Sequence, residues 1–132
     1  MLKSDKILFS YLFVFLLMSI GAICWQLLVP TIATNYSTWN LSLGWQREIA
    51  LWNIGVDAGI IYTLIKRNKS YAEILSIIVT VLCIVLGVNH LFAAIIASGQ
   101  NTALHWLGAF EVLFFGGGFG IFALFKSRLF KE

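Results

Sequence analysis

The chain has 132 residues, 60% of them hydrophobic and 11% charged, with a formal net charge of +3. That length makes one domain, residues 1–132, and the composition is too apolar for a soluble domain of this size. The basic residues sit at the ends of apolar runs rather than on one patch, which excludes a nucleic-acid footprint and makes them topology signals.

MLKSDK at the N-terminus precedes an apolar run from Ile7 to Leu17 that continues past Ile20 to Val29. This is too long for a secretory signal core, and no small-x-small cleavage site follows, so it reads as an uncleaved first span. Ile23 stands where a lipoprotein signal needs a small residue, so Cys24 is not read as a lipid anchor. The first helix runs from about Ile7 to Val29, roughly 34 Å at 1.5 Å per residue, and Pro30 ends it. Trp25 and Gln26 lie near that end, at interfacial depth.

Thr31 to Gln46 is the longest connection. Trp39, Leu41, Leu43 and Trp45 alternate there with Asn40, Ser42 and Gly44, which predicts an extended stretch with one apolar side. Such a stretch lies on the membrane surface as a set of aromatic anchors or folds over a pocket. A second helix covers about Arg47 to Ile65, and the basic turn Lys66-Arg67-Asn68-Lys69 follows it. A third runs from about Ile74 to Ser98, with Gly87, Asn89 and His90 in its later half. After the uncharged turn Gly99-Gln100-Asn101-Thr102, a fourth runs from about Ala103 to Phe125, carrying His105, Glu111 and the glycine-rich run from Gly116 to Gly120. The tail from Lys126 to Glu132 is basic and polar.

Lys3, Lys6, Lys66, Arg67, Lys69, Lys126, Arg128 and Lys131 fall on one side of this four-span arrangement, and Arg47 alone falls on the other. The positive-inside rule places both termini in the cytoplasm and the Trp39 loop outside. All five tryptophans then belong to the outer half or the outer loop. The predicted class is an all-α, multi-pass four-helix bundle of the inner or plasma membrane.

The second helix carries the most unusual chemistry. A carboxylate at the centre of a membrane helix costs roughly 2.5–3.5 kcal/mol on insertion scales, so Asp57 needs an answering group. Asn53 and Asp57 are four residues apart on one face, and Gly55 and Gly59 form a small-residue stripe on roughly the opposite one. Counted from the outer helix ends, Asn53 sits roughly 9 Å deep, Asp57 roughly 15 Å, Asn89 and His90 roughly 12–14 Å and Glu111 roughly 12 Å. This alignment predicts one outward-facing polar cavity in which His90 pairs with Glu111, and Asp57 with Asn53 and Asn89. Intramembrane Asn and His also serve simply to fasten helices. Trp45, Arg47 and Glu48 stand at the interface, as a lid or an ion pair.

No HExxH, ExxH or CxxC motif is present, so no metal site is read. His105 comes out roughly 8 Å shallower than His90, which argues against bis-histidine haem. Cys24 and Cys83 differ in depth by roughly 15 Å, too far for a disulfide. Gly55-x-x-x-Gly59 and Gly116-x-x-x-Gly120 permit close helix approach, within the bundle or in a homo-oligomer. Two sequons, at Asn35 and Asn40, lie in the outer loop.

The stretches WQREIALWNIGVDAG and LGVNHLFAAI resemble those of small bacterial four-helix membrane proteins, similar in size and layout to DoxX-like proteins. The resemblance covers the second and third helices and implies a four-span bundle without an assigned activity. Arg47, Asn53 and Asp57 are also reminiscent of the second helix of the membrane-associated eicosanoid and glutathione enzymes. There a Glu follows the Asn by three residues; here Asp57 follows Asn53 by four, and the second Arg of that pattern is missing. Small multidrug transporters share the size but carry a Glu in the first helix, where this chain has no carboxylate. The leading expectation is a protein that binds or moves a small lipophilic or protonatable ligand, with Asp57, His90 and Glu111 handling charge and Asn53 and Asn89 orienting it. A membrane enzyme of the glutathione type and an accessory subunit of a larger complex are the alternatives.

Overall fold

The computed structural model describes residues 3–97 and 101–129, with backbone only at 3, 4, 34, 128 and 129. Gly99, Gln100 and Lys131, which figured in the predicted turn and tail, lie outside those residues. All regular structure among the described residues is helical. It comprises α1 (Lys3–Leu28), α2 (Ile32–Tyr36), α3 (Leu43–Lys66), α4 (Lys69–Ile96), α5 (Ala103–Phe110), a π-helical segment (Glu111–Gly118) and α6 (Phe119–Leu129). Four stretches are long and apolar enough to cross a membrane: Asp5–Leu28, Leu43–Lys66, Lys69–Ile96 and Ala103–Ser127. The protein is thus an all-α four-helix membrane bundle.

Local chemistry sets the helix ends. Pro30 has no N–H to continue α1, and its carbonyl instead accepts from Ala33 N–H at 3.3 Å as the chain turns into α2. The Ser37 hydroxyl donates to the Ala33 carbonyl and accepts from Trp39 N–H at 3.2 Å, closing the short helix. At the opposite end of the bundle, α3 stops at Arg67, whose φ of 50° is left-handed. Asn68 then caps α4, its side chain accepting from Tyr71 N–H at 3.1 Å. Lys69 pairs with Asp5 at 2.7 Å, tying this turn to the start of α1.

The boundaries differ from the predicted ones in an informative way. The alternating stretch before Arg47 is not extended throughout: α3 begins at Leu43 and takes in Gly44, Trp45 and Gln46. Period two carried little weight there because a membrane helix tolerates apolar side chains on every face. Helix α4 likewise starts at Lys69 rather than Ile74, as soon as its cap is made.

Helix α1 is the centre of the bundle. Helix α3 packs chiefly on one side of it, while α4, the π segment and α6 pack together and against its other side. The apolar core uses Leu8, Tyr11, Leu12, Phe15 and Leu16 of α1, Ile60 of α3, Ala72, Val79 and Cys83 of α4, and Ala123 of α6. These positions lie toward the Asp5–Lys69 end. A buried polar bridge crosses the core: Tyr11 donates its hydroxyl to the Gly116 carbonyl at 2.9 Å and accepts from Thr80 Oγ1 at 3.0 Å.

The fourth span owes its seat to missing side chains. A Cβ at Gly87 would meet Leu113 Cγ at 2.5 Å, one at Gly116 would collide with Cys83, and one at Gly120 would collide with Thr80 and meet the Tyr11 hydroxyl at 2.6 Å. Gly116 and Gly120 are therefore spent inside the bundle. Gly55 and Gly59 differ: a Cβ at either finds nothing within 4 Å, so that stripe faces outward. The wide coil from Glu111 to Gly118 lies along α4 where these glycines sit, an arrangement often found at functional positions.

Candidate functional site

The register of the α4–α5 hairpin decides where the histidines meet. Gly87 faces Leu113, Cys83 faces Gly116, and His90 faces Gly108, where a Cβ would lie 2.9 Å from His90 Nδ1. His105 is therefore one turn, roughly 4.5 Å, above the residue level with His90, rather than roughly 8 Å above it. Gly108 leaves that turn empty of side chain, and the two imidazoles close over it. Their Nδ1 atoms come to 3.4 Å and their ring centres to 5.6 Å.

The loop between α2 and α3 covers the pair. Thr38 N–H donates to His105 Nε2 at 3.0 Å, and the Thr38 hydroxyl lies 2.9 Å from the same nitrogen. The Trp39 ring rests against both histidines, 4.8 Å from His90 and 4.6 Å from His105 between ring centres. Asn101 anchors the loop from the next turn by donating to the Asn35 carbonyl at 3.0 Å. His105 is consequently 0% exposed although it begins a span.

These contacts assign the ring protons of the neutral pair. His105 Nε2 accepts from the Thr38 amide, so its proton sits on Nδ1 and points at His90. His90 Nδ1 must then accept, which leaves the His90 proton on Nε2. The arrangement holds one acidic hydrogen between two basic nitrogens, beneath an aromatic lid. Among the described residues, no group of three or more His, Cys, Asp or Glu side chains is placed to hold a metal ion.

The other polar residues do not gather here. No hydrogen bond or ion pair joins His90 to Glu111 among the described residues; Glu111 is half-buried at the start of the π segment, within electrostatic reach of Cys83. Asn89 is exposed, and neither it nor the half-buried Asn53 bonds to Asp57. Asp57 instead enters the α1–α3 interface beside Ser19 of α1, whose hydroxyl is near enough to act on the carboxyl as a hydrogen-bonding group although no bond of ordinary geometry joins them. Because α3 begins at Leu43, Asp57 is roughly 21 Å along its helix rather than roughly 15 Å, and the single slab of polar groups divides into two. Trp45 is 69% exposed, and Arg47 and Glu48 are exposed beside it near the start of α3.

Reading the sequence missed Thr38, Trp39, His105 and Ser19 as members of these sites. Trp39 carried a signal, since folding over a pocket was one outcome expected of its segment. Ser19 carried almost none, as one hydroxyl in a long apolar helix.

Comparison with protein-family models, curated proteins and solved structures found no match. Function is therefore read from the geometry.

Proposed function

We propose that this chain is a small multi-pass membrane protein of the binding or transport type, and that His90 and His105 receive a small lipophilic ligand with a protonatable group beneath Trp39. The observation that carries this reading is the meeting of the two imidazole Nδ1 atoms at 3.4 Å under the Trp39 ring. A pair of imidazoles takes up and returns a proton without moving a charged side chain through the bilayer. An indole face is the best of the aromatic surfaces for a ligand cation. The Thr38 amide occupies His105 Nε2 in the closed state, so a ligand that bonds this nitrogen displaces the loop. The basic residues at the opposite end support placing this site on the outer side of the membrane.

Native mass spectrometry of the protein extracted gently from its own membrane, followed by titration with lipophilic amines read by fluorescence in a background that keeps Trp39 as the sole tryptophan, tests the proposal. Wild type retains or binds such a ligand, and His105→Phe weakens binding by about tenfold, the equivalent of one interaction of about 1.4 kcal/mol. Equal binding by a folded His105→Phe variant overturns it.

A further inference from the structure

We infer that the α1–α3 interface contains a second site, for a small monovalent cation (a proton or a sodium-sized ion), whose inner end is the Asp57 carboxylate beside the Ser19 hydroxyl. Asp57 is 5% exposed and both its carboxylate oxygens lack a hydrogen-bond partner; Ser19 is 6% exposed and its hydroxyl also lacks one. A carboxylate left bare in a membrane span is costly enough that it takes a proton or a counter-ion. Among the described residues no ion pair reaches Asp57: besides burial, the Ser19 hydroxyl, acting as a hydrogen-bonding neighbour, is the influence on its carboxyl.

The same seam leads toward the loop end of the bundle. Gln46, Ala50, Asn53 and Asp57 recur at intervals of four, three and four on one face of α3, and Gln26 stands two turns above Ser19 on the facing side of α1. Gln26 and Gln46 each bury an Oε1 that has no hydrogen-bond partner. Ala50, between Gln46 and Asn53 on this face, is fully buried. Carboxylate, hydroxyl and amide oxygens are the ligands that a hard cation prefers.

The site is independent of the histidine pair, which lies on the α4–α5 hairpin, so either proposal can fail without the other. Asp5 and Asp57 are the two aspartates of the sequence, and Asp5 is ion-paired with Lys69. Infrared spectroscopy of the full chain in lipid discs, labelled with carboxyl-13C aspartate, therefore isolates Asp57. The expected result is an isotope-shifted carboxyl band that is lost in Asp57→Asn and that falls in wild type as pH rises or as sodium chloride replaces choline chloride. Loss with sodium at constant pH identifies a sodium-sized ion, and loss with pH alone identifies the proton. Ser19→Ala shifts the midpoint in either case. A wild-type Asp57 signal that responds neither to sodium nor to pH, from mildly acid to mildly alkaline buffer, overturns the inference without relying on any variant.

Discussion

Individual side chains in this protein act through what lies opposite them. His105 holds Trp39 in place twice over, through Thr38 bonded to its Nε2 and through direct contact with the indole ring. In a variant that keeps Trp39 as the sole tryptophan, His105→Ala should therefore shift its emission to the red and raise its quenching by an aqueous quencher, while the same change at exposed Asn89 leaves both unaltered. Asn68 offers a simpler case, since its side chain satisfies one otherwise unpaired donor at the start of α4. Asn68→Ala should cost about 1 kcal/mol in reversible unfolding from mixed micelles, within the usual span for a helix cap. The cap was not read from the sequence, where Lys66 to Lys69 appeared only as a basic turn.

At the scale of elements, glycines decide which helices approach and which do not. Gly116 and Gly55 belong to the same kind of motif, yet a methyl group at Gly116 runs into Cys83 and one at Gly55 meets open space. Gly116→Ala should therefore destabilise the bundle by about 1–3 kcal/mol through overpacking. Gly55→Ala should be neutral or stabilise the chain by up to about 1 kcal/mol through helix propensity. Thermal unfolding of both variants in one detergent checks the contrast, and a large loss at Gly55 would mean that a second copy occupies the outward stripe. The motifs themselves were visible in the sequence. Their different fates were not, because spacing specifies a face but not what faces it.

On the scale of the whole molecule, charge runs to one end and aromatic and polar contacts to the other. The Lys69–Asp5 pair binds the basic end together, and the Trp39 loop seals the opposite one. If the positive-inside rule holds, a cysteine at Ser42 in a Cys24→Ala, Cys83→Ala background should react with an impermeant maleimide in intact cells. One at Ser70 should react only after the membrane is opened. The reverse labelling pattern would invert the orientation and move the histidine site to the cytoplasmic side.

The four spans and their approximate limits follow from the sequence alone, because a bilayer demands about twenty apolar residues per crossing and this chain supplies four such runs. The concentration of basic residues at one end follows for the same reason. Partnership does not. Asp57, His90 and Glu111 are each conspicuous in an apolar chain, and counting residues from the helix ends placed them at similar depths. Depth leaves open which helix stands beside which and how each is turned about its axis. In the folded chain α3 lies on α1, so Asp57 meets Ser19, while the Gly108 gap in the α4–α5 hairpin brings His105 down to His90. Those rotations are set by close packing at glycines and small residues, interactions that depend on both surfaces at once and therefore appear only in the tertiary structure.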